Sequence, residues 1–475
     1  MGPVLHVLMA AEPPVLLPSR EQMAFTLAYH IILVPLGVVF PLITVAMEAI
    51  GLRRRDPVAL LLARRWSVVM AIQFAVGAVT GTILSFEFGL LWPRMMGRFG
   101  DVFGLGFGVE AWAFFLEAIF IAIYLYGWRR LPPRLHLLVG CVLPPAGFLG
   151  AFGVIAANSW MNTPGGFQLG PDGRPVAVDV AGALFTRALG YEYWHFMVAM
   201  YMTAGFMVAS VYAVGWLRGR RDRYHRLGFT LPFTIGAVLT PVELVIGDLA
   251  ARALVTDQPA KFAAIEITWT AQAHNPEIIG GVLASDGSVH LGLAIPSLDS
   301  LLVGYSPDAR VPGLSGFPAA NRPSVLDANV VHLSFDVMVG LGSIAVLLAL
   351  WYAVAWVRRR DLPGSPWFFR AAALAGVGSY VAVECGWVTT EVGRQPWIVY
   401  GLMRVADAVN PVSPGYVWLT FGVLLVVYAV IALFFVTLLL RLSARWRGED
   451  GAPEVGAPYG PRPGGLAEPP PAGGA

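Results

Sequence analysis

Charge is what this sequence has least of. Only 13% of its 475 residues are Asp, Glu, Lys or Arg, against about 25% in a soluble globular chain, which excludes an ordinary water-soluble domain. Lysine is almost missing: Lys261 stands alone among 32 basic residues, and the others are arginine. Cysteine is nearly missing too. Cys141 and Cys385 both fall in apolar stretches, so no disulfide framework is expected. The net charge of +2 is uninformative as a sum, and nucleic acid is not an expected partner. The first 18 residues lack the basic region and small-residue cleavage site of a signal peptide, so the first apolar run is expected to act as an uncleaved anchor. No internal repeat is visible, which counts against the inverted-repeat transporters.

What fills the sequence instead is apolar, at 57% of residues with 12% aromatic. Runs of roughly 20 apolar residues cross a bilayer as helices. Nine are predicted, at 23–50, 66–90, 106–127, 136–157, 190–216, 228–248, 330–357, 367–391 and 416–440. The expected fold class is an all-α polytopic membrane protein. Arginines collect after alternate spans: Arg53, Arg54, Arg55, Arg64 and Arg65; Arg129, Arg130 and Arg134; Arg218, Arg220, Arg221, Arg223 and Arg226; Arg358, Arg359, Arg360 and Arg370; Arg441, Arg445, Arg447 and Arg462. The positive-inside rule puts that side in the cytoplasm, with the N-terminus outside and the C-terminus cytoplasmic. The chain then divides into six helices over 20–248, an outward segment over 249–329, three helices over 330–440 and a cytoplasmic tail over 441–475. The tail, rich in Pro and Gly from Gly448 on, is expected to be disordered.

Ionisable groups inside a bilayer are costly, so each is a functional hypothesis. Here they are His30, Glu48, Glu87, Glu110, Glu117, His195, Glu243, Asp248, Asp336, Glu384 and Glu391. Helix ends or interhelical hydrogen bonds account equally well for Glu48 and Glu384. His30 lies about a third of the way into span one from the outer side. Bonding to a neighbouring carbonyl would explain it, but imidazole is also the usual axial ligand of haem iron. His195 lies two turns into span five, with Met338 at similar depth in span seven. Methionine is ordinary core filler, yet a His/Met pair makes a six-coordinate, electron-transferring haem of raised potential.

Glu110 and Glu117 are two turns apart on one face of span three, about 10 Å along the axis. That spacing suits a proton relay; capping by polar neighbours is the alternative. Glu391, near the end of span eight, precedes Arg394 by one turn, and Trp387 and Trp397 offer flat walls for a macrocycle. In the outward segment, Lys261 and Glu266 lie about 500° apart if helical, both reachable around one ligand. An ammonium and a carboxylate are what a site needs to bond a quinol oxygen and take its proton. A solvated surface pair is the plainer reading.

Together these motifs resemble subunit I of the cytochrome bd quinol oxidases. The run Gly-Arg-Gln-Pro-Trp at 393–397, with Glu391 two residues ahead, is similar to that family's signature. So are Tyr-His followed by Val-Pro-Leu around His30, Phe-Glu-Phe-Gly at 86–89 and Ala-Phe-Phe-Leu-Glu at 113–117. Asn-Ser-Trp-Met at 158–161, Gly-Asp at 247–248 and Lys-x-x-Ala-x-Glu at 261–266 complete the set, in order over roughly 20–440. The resemblance implies His195 and Met338 as axial ligands of a low-spin haem b. It implies His30 and Glu391 as ligands serving two high-spin haems, one a haem b and the other a haem d or a third haem b. Neither ligand is assigned to a particular one. Glu110 and Glu117 would line the proton route, Arg394 would neutralise a propionate or Glu391, and Lys261, Glu266 and Asp248 would contact quinol.

The implied function is a terminal oxidase of the bacterial inner membrane. It would oxidise ubiquinol or menaquinol at the outer face and reduce oxygen to water with cytoplasmic protons. A second large membrane subunit, small accessory subunits and membrane lipid are the implied partners. The sequence departs from the family where Asp336 replaces a frequent Arg, where Ala118 replaces a frequent Ser, in the weakly polar stretch 150–153 and in a short quinol loop. The alternatives are a proton-coupled transporter, which needs the glutamates but no His/Met pair, and a haem-bearing relative without quinol oxidase activity.

Overall fold

A computed structural model describes residues 12–449 and Tyr459. Among the described residues nine helices are long and apolar enough to cross a membrane. They are Leu16–Arg54, Pro57–Leu91, Pro93–Gly127, Pro133–Asn162, Leu189–Leu217, Arg223–Asp257, Val325–Arg359, Pro366–Gly393 and Pro414–Arg447. Each contains one predicted span, so the nine-helix, all-α architecture stands.

The helix ends follow local chemistry. Asp56 starts span two by accepting from the backbone N–H of Val58 and Ala59 at 3.0 and 3.4 Å, with Pro57 in the first turn. Asp222 starts span six by accepting from His225 N at 3.0 Å. Ser324 and Asp327 form a reciprocal capping box at the start of span seven. Span four is broken, not continuous as expected: Pro133–Gly140 ends at Cys141, and a new helix runs Leu143–Asn162. Pro144 and Pro145 have no N–H to continue the ladder across that point.

Two boundaries differ from expectation because helices outlast their apolar cores. Span six continues to Asp257, so the outward segment starts about nine residues later than expected. Span nine continues to Glu449, so 441–449 is helix; the rest of the expected tail, apart from Tyr459, lies outside the described residues.

Span five is the centre of the bundle, with 78% of its apolar window buried, whereas span nine has 6% buried and lies at the edge. Spans five and six approach closely because Gly205 meets the backbone of Pro232 and Gly236, where a Cβ would come within 2.7–2.8 Å. Spans three and four touch at Gly106 and Gly153, each of which would drive a Cβ into the other's carbonyl.

The segment between spans six and seven, expected to face outward, is folded, not loose. It begins with the short helix Pro259–Ile265 and continues in two small antiparallel ladders, Glu277–Ile279 with Leu293–Ile295 and Val282–Leu283 with Val289–His290. Asp336 of span seven pins it by accepting from Gly280 N at 2.5 Å. One turn earlier, His332 bonds the carbonyls of Ile265 and Gly280 at 2.7 and 2.8 Å. Removing the acceptor with Asp336→Ala leaves a part-buried N–H unpaired, a loss of about 1–3 kcal/mol. The expected outcome is roughly 5- to 100-fold faster protease cutting within 258–324. Unchanged cutting would show that the tie contributes nothing.

Candidate functional site

His195 projects from span five near its N-terminal end. Its Nδ1 lies 3.0 Å from Glu243 Oε1 of span six, a close contact without an aligned hydrogen bond. A carboxylate beside Nδ1 leaves Nε2 as the ring nitrogen available to a metal. One turn along span six, Gly247 leaves room beside the ring: a Cβ there would come within 3.5 Å of it. Met338 of span seven stands against Gly386 of span eight, where a Cβ would meet its sulfur at 3.1 Å. Trp387, beside that glycine, meets Phe196, beside His195, with ring centres 6.3 Å apart. Both soft donors therefore face the bundle of spans five to eight, each against a glycine, which is the clearance a flat macrocycle uses.

His30 Nδ1 lies 2.9 Å from the hydroxyl of Thr80 on span two. That hydroxyl is also 3.2 and 3.1 Å from the carbonyls of Val76 and Gly77. When its one hydrogen goes to either carbonyl it accepts from Nδ1–H, the tautomer that leaves the lone pair on Nε2. Gly81 follows, and a Cβ there would sit 3.0 Å from the ring.

Glu391 is held at both oxygens: Asn158 Nδ2 donates to Oε1 at 2.9 Å and Arg394 Nη2 to Oε2 at 2.5 Å. Arg394 is 3% exposed. Its Nη1 donates to Asn162 Oδ1 at 3.2 Å, and the same oxygen lies 2.9 Å from Gln258 Nε2 and 3.5 Å from Lys261 Nζ. Asn162 Nδ2 in turn donates to Asn158 Oδ1 at 3.0 Å and Glu192 Oε1 at 2.8 Å. Burial and then the neighbouring Arg394 bring the Lys261 ammonium down to about 8, while Glu192 and Glu391 oppose the shift.

Glu110 and Glu117 remain on one face of span three, and Gly153 of span four packs against the Glu110 backbone. Neither carboxyl is capped by a polar side chain among the described residues, and Glu117 Oε1 is buried without a protein partner.

The structure gives three of the expected site residues definite neighbours. The turn of the short helix points Lys261 at Asn162, whereas Glu266 joins Glu277 and Asp299, their carboxylate oxygens within 4.8 Å of one another. Asp248, within span six as expected, is bound by Arg252 at 2.8 and 3.0 Å. Trp397 donates to Asn321 O at 3.3 Å and carries Arg404 5.6 Å from its ring.

Sequence reading passed over Asn162, Glu192, Gln258, Glu277 and Asp299. Asn162 carried a faint signal, one turn after Asn158 on the same helix face; the others carried none, since they act through distant partners.

No arginine or lysine pairs with Glu266, Glu277 or Asp299 among the described residues. Burial first, then mutual repulsion, lifts Glu266 well above the usual range and Glu277 to about 7; burial lifts Asp299 to about 6. Raised folded-state values mean stability that is complete below about pH 4 and is lost as pH climbs through about 6–7. Protease cutting within 258–324 is therefore expected to quicken between about pH 5 and 8. Glu277→Gln should flatten that dependence; equal wild-type rates at both ends would refute it.

Comparison with known proteins gives a consistent answer. The family described as "Cytochrome bd terminal oxidase subunit I" matches residues 18–446. A Bacillus subtilis cytochrome bd ubiquinol oxidase subunit 1 is 30% identical over 92% of this chain and 95% of its own. The cytochrome bd-II ubiquinol oxidase subunit 1 of Escherichia coli is 26% identical over 86% and 92%. The solved bd oxidase structure from Geobacillus thermodenitrificans superposes with a TM-score of 0.85 at 35% identity, over 92% of this chain and 100% of that one. With the bundle of nine spans and the ordered motifs, these matches establish that the chain belongs to the family of subunit I of the cytochrome bd terminal oxidases.

Proposed function

We propose that this chain is the haem-bearing subunit of a quinol:oxygen oxidoreductase of a bacterial cell membrane, working with a second large membrane subunit. The observation that carries the reading is the His195/Met338 pair, each donor facing a glycine across the bundle of spans five to eight. His195 and Met338 would hold a low-spin haem b, and His30 and Glu391 would serve two high-spin haems, one a haem b and the other a haem d or a further haem b. When bound, these haems supply the one-electron chemistry and the iron at which oxygen is reduced.

The protein groups supply the rest. Glu243 beside Nδ1 of His195 and Thr80 beside Nδ1 of His30 favour the tautomers in which each Nε2 presents a lone pair. Arg394 offsets negative charge at Glu391. Glu266, with which no arginine or lysine pairs among the described residues, would take the proton of a ubiquinol or menaquinol bound at the outward segment. Lys261 acts on that chemistry from the other side of the short helix, through Asn162 and Arg394. The arginine-rich side faces the cytoplasm, and Glu110 and Glu117 lead protons from there toward the level of His30.

A pyridine-haemochrome and redox spectrum tests the assignment, with three haems expected; a colourless preparation would sink it. Gly386→Val should press on the Met338 sulfur and remove the low-spin signal while leaving the others. Glu266→Gln should lower quinol-driven oxygen consumption about 100-fold or more, the scale of a lost general base, with haem content intact. Lys261→Ala should instead disturb the spectrum of the haem nearest Glu391. If the two variants give the same kinetic and spectral defect, they share one ligand after all.

A further inference from the structure

At the opposite, arginine-bearing end of the bundle lies a polar cluster that the reading above does not use. Glu48 of span one and His136 of span four are fully buried. His136 Nε2 is 2.9 Å from the Tyr124 carbonyl, which only accepts, so that nitrogen carries a hydrogen. His136 Nδ1 is 2.8 Å from Glu48 Oε1. One further proton therefore lies between them, on the imidazole or on the carboxyl. The rings of Tyr124 and Trp128 rest against the imidazole with centres 4.4 and 4.1 Å away, contacts that favour its positive form.

Packing holds the cluster in place. A Cβ at Gly127 would come within 3.1 Å of the His136 ring, and one at Gly140 within 2.7 Å of the Tyr124 ring. Glu48 Oε2 accepts from Tyr124 Oη at 2.6 Å, and Oε1 also accepts from Tyr459 Oη at 2.8 Å. Cys141 is the remaining titratable neighbour. No arginine or lysine pairs with Glu48 among the described residues.

The position of Tyr124 connects this cluster to the middle of the membrane. Glu110, Glu117 and Tyr124 recur at seven-residue intervals in one helix, Pro93–Gly127. Each interval is two turns, about 10 Å of rise with a drift of about 20°. One face of span three thus carries polar groups from the cluster over about 21 Å. Along span one, His30 stands about 27 Å from Glu48, so the series covers most of that depth.

We propose that Glu48 and His136 are the proton-loading pair at the cytoplasmic mouth of the route to the oxygen-reducing site, with Tyr124 as the positioning residue. The proposal rests on proton uptake from the arginine-rich side, as inferred under the proposed function. While the shared proton sits on His136 Nδ1, a proton taken up by the Glu48 carboxylate is matched by one leaving that carboxyl toward Glu117 across the two intervening turns. The pair then returns to its single shared proton, and no charge is left behind.

The test uses the assembled oxidase in sealed vesicles, with proton uptake and quinol-driven oxygen consumption followed across pH. Glu48→Gln should slow both at least ten-fold and change the pH profile, while haem spectrum and quinol KM stay as in wild type. Glu48→Asp should restore part of the rate. Tyr124→Phe, which removes only a hydroxyl, should slow turnover a few-fold with the same spectrum. Wild-type rates and pH profile in Glu48→Gln would overturn the proposal. If that variant fails to assemble, a wild-type pH profile in Tyr124→Phe would overturn it. Should wild-type vesicles draw no protons from the arginine-rich side, the underlying direction of uptake fails instead, and the two failures are told apart.

Discussion

The carboxamide of Asn162 sits where four otherwise separate parts of the chain meet, at the end of the bundle away from the arginine-rich loops. Its oxygen faces Gln258, Lys261 and Arg394, and its nitrogen donates to Asn158 and Glu192. Two positive groups, Lys261 and Arg394, and two negative ones, Glu192 and Glu391, are gathered around a neutral amide. Charges taken out of water are tolerated only when opposite charges and hydrogen bonds replace the solvent. A single amide that both donates and accepts lets four charges from the loop helix and spans five and eight share one small space. Arg394 links this amide to Glu391, with one arm on Asn162 and the other on the carboxylate.

The same constraint explains why the polar residues are distributed as they are. Among the described residues, several of those inside the spans are tied to protein partners, while Glu117 and Glu384 keep a buried carboxyl oxygen without one. Glu48, expected either as a helix-end residue or as an interhelical bond, proves to be the latter, bonded to span three and span four together. Asp336, which stands where relatives often have a base, holds down the outward segment. An acid suits that task, since the group it must satisfy is a backbone N–H donor.

Glycine does for the proposed cofactor pockets what Asn162 does for charge. Gly81, Gly247 and Gly386 stand beside His30, His195 and Met338, where any side chain would occupy the space next to the donor. None of them is remarkable in the sequence, because a glycine in a membrane helix is common. Their meaning appears only once the helix that carries the donor is laid against the helix that carries the gap.

The nine spans follow from the amino-acid order alone, and the same order offers His30, His195, Met338 and Glu391 as candidate donors. Apolar run length is a local property, and the ordered motifs lie within single helices. It also determined the seven-residue spacing of Glu110 and Glu117, since helical periodicity needs no partner. Only the tertiary structure decided that Lys261 and Glu266 face different neighbours, that Asp248 is bound by Arg252, and that Asn162 joins the site together. Five residues apart on one helix is a spacing that fits two opposite faces as readily as one ligand, and the choice belongs to the surfaces packed on either side. Buried networks are long-range by nature: their members are far apart in sequence and find one another only when the helices pack.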